Sequence, residues 1–333
     1  MANGMDLIVS SSPHMRTDED TRSIMLDVII ALLPALAVSV YFNGWRSLAL
    51  AAISASACVL FEYAYQKLLK KPVSIGDLSA VITGILLAYT LPVSAPYWVP
   101  VIGSLFAIVV VKQLYGGLGK NFMNPALAGR AFLFSFPVIM TSWAAPGSSV
   151  SVLPGAVDVI TSATPLAYLK QGVLPPDVSL LDMLLGQTGG SLGETPALVL
   201  ILGGLYLLVR RVITPRIPLA FLGTVAALTY YFPRGSIDPL DWMLYNLLSG
   251  GLIIGAIFMA TDYTTSPVTR CGQWLFGIGC GLITVFIRYF GSYPEGVSYA
   301  ILIVNACVWI IDKFAKPRRF GVSLFRRKGG EAK

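Results

Sequence analysis

Charge is scarce in this chain: of 333 residues only 12% are Asp, Glu, Lys or Arg, about half the share of an ordinary soluble domain. That shortage excludes a soluble globular enzyme. One histidine, His14, is present, which excludes haem ligation or zinc binding through a histidine set. The four cysteines, Cys58, Cys271, Cys280 and Cys307, form no C-x-x-C pair and lie in or beside apolar runs. A disulfide framework and an iron–sulfur site are therefore not expected in this chain, and no metal site is expected. No strand-linked glycine fingerprint for a dinucleotide occurs, and no basic face interleaved with aromatics, so nucleic acid is not an expected partner. The first twenty-odd residues are polar and contain no apolar core of a cleavable signal.

What the chain has in abundance is apolar length. Hydrophobic residues make up 55%, mean hydropathy is +0.72, and runs of about twenty apolar residues recur, each long enough to cross ~30 Å of hydrocarbon as a helix. Gly, Pro and charge punctuation divides them into spans near 24–43, 45–66, 78–92, 97–114, 123–141, 195–211, 217–232, 242–260, 272–290 and 297–314. The fold class expected is an all-α polytopic membrane protein of ten transmembrane helices. An even number of spans puts both termini on one side, and the tail KPRRFGVSLFRRKGG makes that side the cytoplasm. With this orientation Arg46, Lys170, Arg234 and Arg288 fall outside and Arg130 falls within a span, while every other Lys and Arg lies on the cytoplasmic side. The net charge of +7 then reflects contact with membrane lipid on that side.

The chain divides into an N-terminal half (1–141), a long extracytoplasmic connection (142–194), a C-terminal half (195–315) and a basic cytoplasmic tail (316–333). LSAVITGILLAYT at 78–90 matches LSGGLIIGAIFMAT at 248–261 once one residue is inserted. Both are the third span of a five-span set. Because five is odd, the halves run through the membrane in opposite senses, as two inverted five-helix repeats. Both third spans end abruptly, one in LPVSAPYWVP and the other in TDYTTSP. Such broken helices are buried in protein or line a polar cavity, because lipid does not tolerate unpaired backbone groups.

The connection is too long for an ordinary helix-to-helix loop and too apolar to be a mere linker. Within it, Asp158-x-x-Thr161-Ser162-Ala163-Thr164 matches Asp-x-x-Ser/Thr-Gly-Ala-Thr, an acceptor pattern for covalent flavin, with Ser162 where Gly is commoner. Pro165 keeps Thr164 out of helical geometry and so on a turn that a modifying enzyme can reach. SSSPHMR, IMLDVIIALLPAL, VKQLYGGLGKNFMNPALAGRAFL, GETPAL and ATDYTTSP accompany it along nearly the whole chain. Together these segments resemble the RnfD family, the D components of the Rnf ferredoxin:NAD oxidoreductase complex, to which NqrB of the sodium-pumping NADH:quinone oxidoreductase is related. NqrB usually carries a longer N-terminal extension, which favours the Rnf type.

The resemblance implies FMN joined through a phosphodiester to Thr164, with Asp158, Thr161, Ser162 and Ala163 forming the recognition string. It implies a separate flavin transferase for maturation and a second, noncovalent riboflavin between the helices. The implied partners are the other Rnf subunits, A, B, C, E and G, in a bacterial inner membrane. No side chain is then required as a catalytic acid or base, since the flavin does the redox chemistry. The alternative from another class is a redox-inactive channel of the urea or ammonia type, which also uses two inverted five-helix halves.

Other motifs read structurally. Gly116-Gly117-Leu118-Gly119 is expected to be a cytoplasmic turn, because no strand precedes it as a phosphate loop requires. Asn124-Pro125-Ala126 caps the fifth span, with Pro125 at a first helical position. His14 reads as a surface contact with another subunit. Arg130, roughly 10 Å into its span, needs a partner, and Asp27 or Glu62, near the ends of the first two spans, are the acids expected to supply it.

Overall fold

The computed structural model describes residues 20–144, 163–176, 178–193, 197–235, 237–291, 293 and 295–316. Segment SSSPHMR with His14, the residues Asp158, Thr161 and Ser162, and all of the basic tail but Lys316 lie outside the described residues. Among the described residues the structure is helical, with one isolated bridge between Pro92 and Ser191.

In the first half, α1 (Thr21–Asn43) and α2 (Trp45–Leu68) are followed by a short 3₁₀ turn, Ile75–Asp77, and by α3 (Ser79–Tyr89). Next come α4 (Trp98–Leu105), which runs on as π-helical turns over Phe106–Gln113, then α5 (Pro125–Leu133) and α6 (Pro137–Met140). The connection contributes α7 (Pro165–Lys170) and α8 (Leu180–Leu185). In the second half are α9 (Ala197–Val209), α10 (Arg216–Tyr231), α11 (Pro239–Leu248) and α12 (Leu252–Ile254), the last continuing as π-helical turns over Gly255–Met259. α13 (Arg270–Phe290), α14 (Val297–Ala306) and α15 (Val308–Phe314) complete it.

α1, α2 and α13 are each long and apolar enough to cross a membrane. Two bent pairs also have the length and composition of a span: α11 with Leu252–Met259, bent by 67°, and α14 with α15, bent by 55°. This is an all-α, polytopic membrane protein with several apolar helices. Three of the expected continuous spans are interrupted. The one placed at 123–141 breaks after Leu133, where Pro137 restarts a single helical turn. The one at 242–260 breaks at Ser249-Gly250-Gly251, with Gly250 at φ +67°. The third bends at Cys307.

The two segments expected to be broken are both short and central. α3 has 11 residues, roughly 16 Å at 1.5 Å per residue, and all but Val81 are buried. Every residue of Gly255–Met259 is buried as well. Their apolar side chains meet α1, α9 and α14 in one hydrophobic core. Close approach of helices rests on small residues. A Cβ on Gly84 of α3 would lie 2.5 Å from the Cα of Ala55 in α2, and one on Gly277 or Gly281 of α13 would lie 2.6 Å from Ala220 or Thr224 of α10.

Candidate functional site

Polar groups inside this bundle gather at the two ends of α3, and each end opens into a recess. At its N-terminus, Asp77 accepts from the Ser79 amide (2.9 Å) and hydroxyl (2.7 Å). This cap fixes the start of the helix, where orphan N–H groups need acceptors. Lys112, at the end of the π-helical stretch, donates to Ser79 Oγ (2.6 Å) and pairs with Glu62 of α2 at 2.9 Å. Gln113 also donates to Glu62 (2.7 Å). Glu62 and Lys112 are both essentially buried, and the pairing and added donors offset the cost of removing two charges from water.

Beside this cluster, a recess is bounded by Ser79, Thr83, Lys112, Asn121, Phe258 and Asp262, among others. Asn121 donates to Thr264 Oγ1 (3.0 Å) and Asn124 donates to the Met259 carbonyl (3.1 Å), joining the two halves of the chain. Asn124 also caps α5, as the Asn-Pro-Ala string suggests, by accepting from Ala126 and Leu127. The buried Asn121 Oδ1 has no hydrogen-bond donor in the structure.

At the opposite end of α3, the chain turns through 91–97, and Arg46 of α2 holds that turn. Its guanidinium donates to the carbonyls of Val93 (2.8 Å) and Ala95 (3.0 Å) and stacks over Tyr97. Gly193 and Leu192 donate back to the carbonyls of Tyr89 and Leu91. A Cβ on Gly193 would lie 2.5 Å from Tyr89 Cβ. The end of the connection is thereby seated on the end of α3.

A second, small recess lies on this side, lined by Trp143, Thr164, Met183, Thr188, Ser249 and Glu295 together with Pro165, Leu166, Gly189, Leu248 and Gly250. Of the expected recognition string, Ala163 is exposed and Thr164 is buried. Thr164 is the N-cap of α7, extended at φ −71° and ψ 153°, with Pro165 at the first helical position. Its side chain makes no capping hydrogen bond, so the hydroxyl stays available in the recess wall. α7 itself is anchored, because Leu166 and Leu169 pack on Trp242 of α11. The lining joins one indole and one thioether with hydroxyls and a carboxylate.

The ionic partners differ from those expected. Arg130 pairs with Glu295, in the segment before α14, and lies over the Phe134 ring. Asp27 instead accepts from Tyr206 (2.8 Å) and Arg210 (3.0 Å) of α9, and Glu62 takes Lys112. Arg288 of α13 is buried and donates to the carbonyls of Asn246 (2.6 Å) and Ser249 (2.9 Å), satisfying the C-terminus of α11 where the helix breaks. Glu295 and Lys112 escape the sequence reading because each sits next to a loop, where a charge looks solvated.

The chain matches the model of the family described as NQR2, RnfD, RnfE over residues 8–321. It is 48% identical to the D subunit of the Na(+)-translocating ferredoxin:NAD(+) oxidoreductase complex of Acetobacterium woodii, over 98% of this chain and 99% of that protein. Identity is 42% to the D subunit of the proton-translocating ferredoxin:NAD(+) oxidoreductase complex of Clostridium ljungdahlii, over 94% and 96% of the two chains. It is also 42% to the D subunit of the ion-translocating oxidoreductase complex of Stutzerimonas stutzeri, over 90% and 91%. The match extends over both halves and the connection that carries Thr164, and the chain belongs to the NQR2, RnfD, RnfE family.

Proposed function

We propose that this chain is the D-type membrane subunit of an ion-translocating ferredoxin:NAD+ oxidoreductase complex and that it carries FMN covalently on Thr164. The observation that carries the flavin assignment is the placement of Thr164: its uncommitted hydroxyl lines a mixed polar and aromatic recess while the neighbouring Ala163 is exposed. When bound, the flavin supplies the electron-transfer chemistry. The chain's own residues do the rest. Thr164 offers the ester oxygen, and α7 pinned on Trp242 fixes that oxygen.

A noncovalent riboflavin is assigned to the recess at the N-terminus of α3. The acceptor Asn121 Oδ1 lines it and would take an N–H of the ring. The two inverted halves are supported by a repeated device, and the ten spans, the cytoplasmic termini and the bacterial inner membrane belong to the same proposal. Lys112 holds Ser79 at the start of α3, and Arg288 holds Ser249 just before α12. These serines occupy matching positions in the LSAVITGILLAYT and LSGGLIIGAIFMAT segments. The assembly with the other Rnf subunits, A, B, C, E and G, and maturation by a flavin transferase, follow from the same reading.

Intact-mass spectrometry of the chain purified from membranes that express the transferase tests it. One added FMN, lost in Thr164→Val with membrane insertion retained, is the expected result. An unmodified wild-type mass, with no fluorescent band on a denaturing gel, would instead favour a redox-inactive channel.

A further inference from the structure

The start of α1 and the end of α9 meet at a recess that neither flavin assignment uses. Ser23 and Asp27 of α1 line it, with Arg210, Arg211 and Val212 at the end of α9 and Tyr263. Asp27 is buried, and Arg210 donates to its Oδ2 through Nη2 (3.0 Å) and Nε (3.2 Å), while about half of the Arg210 side chain stays exposed. Arg211 beside it is exposed. The lining therefore holds two guanidiniums against one carboxylate. Asp20 and Arg22, at the start of α1, add one charge of each sign.

Arg211 closes α9 in an unusual way. Its amide donates to the Leu208 carbonyl (3.1 Å), the Val212 amide donates to the Leu207 carbonyl (2.9 Å), and its φ is +58°. This is a Schellman cap with arginine at the left-handed position where glycine is the usual residue, because a Cβ is crowded there. The Tyr263 hydroxyl donates to the Val212 carbonyl and pins the turn. The surface leading away from the arginines is apolar. Leu202, Leu205 and Val209 of α9 are exposed at helical spacing, and Leu26 and Ile30 are exposed on α1, which is long and apolar enough to cross a membrane. Guanidiniums at the end of such a surface stand at the depth of the lipid headgroups.

We propose that this recess binds the phosphodiester headgroup of an acidic phospholipid, with Arg210 and Arg211 as the phosphate ligands and the acyl chains lying along Leu202, Leu205 and Val209. Planar guanidinium forks match phosphate oxygens in pairs. Asp27 is the positioning residue, since it takes one edge of Arg210 and fixes that group in the recess wall. A lipid phosphate also accounts for arginine, rather than glycine, at the strained close of α9. Neither Thr164 nor a flavin takes part.

The experiment is photolabelling of the purified complex in phosphatidylcholine nanodiscs that contain a phosphatidylglycerol with a diazirine on its headgroup, followed by peptide mapping. Label is expected on the segments around Ser23 and Arg211, displaced by unlabelled phosphatidylglycerol and not by phosphatidylcholine or inorganic phosphate. Arg211→Gly removes the charge and suits the left-handed cap, so the fold is retained while displaceable label falls by about tenfold, the size of one lost charge-assisted contact. Arg211→Lys keeps part of the label. Arg216, held by Gln273 at 2.9 Å, lies in the same loop but outside the recess lining, and Arg216→Gln leaves the label within about twofold, as for a screened surface charge. Equal losses in Arg211→Gly and Arg216→Gln reduce the effect to diffuse attraction and overturn the site. So does undiminished label in Arg211→Gly, or a wild type with no displaceable label on these segments. Displacement by inorganic phosphate makes this a site for the free anion and overturns the lipid assignment. If Arg211→Gly fails to accumulate, Arg211→Asn, which also tolerates the left-handed conformation, is read by the same criteria.

Discussion

Replacing Lys112 with Met removes the cation from a deeply buried polar cluster. Its ammonium contacts both Glu62 oxygens, at 2.9 and 3.0 Å, and Ser79 Oγ at 2.6 Å, with the side chain only 2% exposed. In the variant, Glu62 keeps the amide donors of Gln113 (2.7 Å) and Gln66 (3.4 Å) but no counter-charge. Breaking a buried pair by deleting one partner costs about 3–5 kcal/mol, because the other charge is stranded. Removing both is far less harmful. Lys112→Met combined with Glu62→Met should therefore recover much of the loss, with a coupling within the roughly 0.5–3 kcal/mol seen for contacting residues. Unfolding of the detergent-solubilised protein by SDS titration reads both quantities. A single-variant loss below about 1 kcal/mol, the range of solvent-exposed pairs, would refute the claim that this cluster is dry.

Further consequences follow from individual contacts. Arg46→Met strands the carbonyls of Val93 and Ala95, at about 1–3 kcal/mol for each buried acceptor left unmade, and hydrogen exchange should rise first in residues 91–97. Gly281→Val places a side chain where a Cβ alone would meet Thr224 Cβ at 2.6 Å; a loss of about 1–3 kcal/mol is expected from overpacking, read by the same SDS titration, and Thr224→Gly should relieve part of it. Asn124→Ala removes the α5 cap and the bond to Met259, and a loss of about 1–2 kcal/mol that Asn124→Asp only partly restores would show that the link between halves contributes beyond the cap. Hydrogen bonds from the Ser179 hydroxyl and amide hold the Asp182 carboxyl below its ordinary 3.8. A carboxyl depressed in the folded state stabilises above its unfolded value and loses that contribution as pH falls through the folded one. The difference in apparent Tm between wild type and Asp182→Asn should thus be constant near neutrality, begin to shrink as pH approaches 3.8 and go on shrinking below it.

Helical character was legible because hydrophobic runs and their Gly and Pro boundaries are local signals. So was the brevity of α3, since the prolines at 92, 96 and 100 forbid continuation. The breaks inside the fifth and eighth segments were less visible. SFP at 135–137 and SGG at 249–251 read as tolerable within a membrane helix, and only the buried Arg288 beside the second shows what satisfies the interrupted backbone there. Ion-pair partners were the least legible. Arg130 and Glu295 are 165 residues apart, and a place near the end of a span, which singled out Asp27 and Glu62, carries no information about which acid the fold brings near. Thr164 was legible as a string, but its recess was not, because the walls come from the connection, α11 and the segment before α14.

The short central helices decide how the two recesses are related. A continuous span would separate its ends by about 30 Å of hydrocarbon. α3 covers roughly 16 Å, and the recess with Ser79 and Lys112 lies at one end of it, while the recess with Thr164 and Thr188 lies beyond the other, where residues 191–193 join its C-terminus. Leu252–Met259 runs between the same two recesses in the opposite sense, from Gly250 beside Glu295 to Thr261 and Asp262 beside Lys112. Shortening both helices draws the polar sites toward each other across an apolar core that stays closed. The cost is a set of unpaired backbone groups at each break, and those are the groups that Arg46, Asp77, Asn124 and Arg288 satisfy. Lengthening α3 by one turn, through four alanines inserted after Ile85, should leave the helix apolar and buried yet move the 91–97 turn out of register with Arg46. If such a variant retained wild-type stability and flavin content, the spacing between the recesses would be incidental, and the broken helices would need a different physical cause.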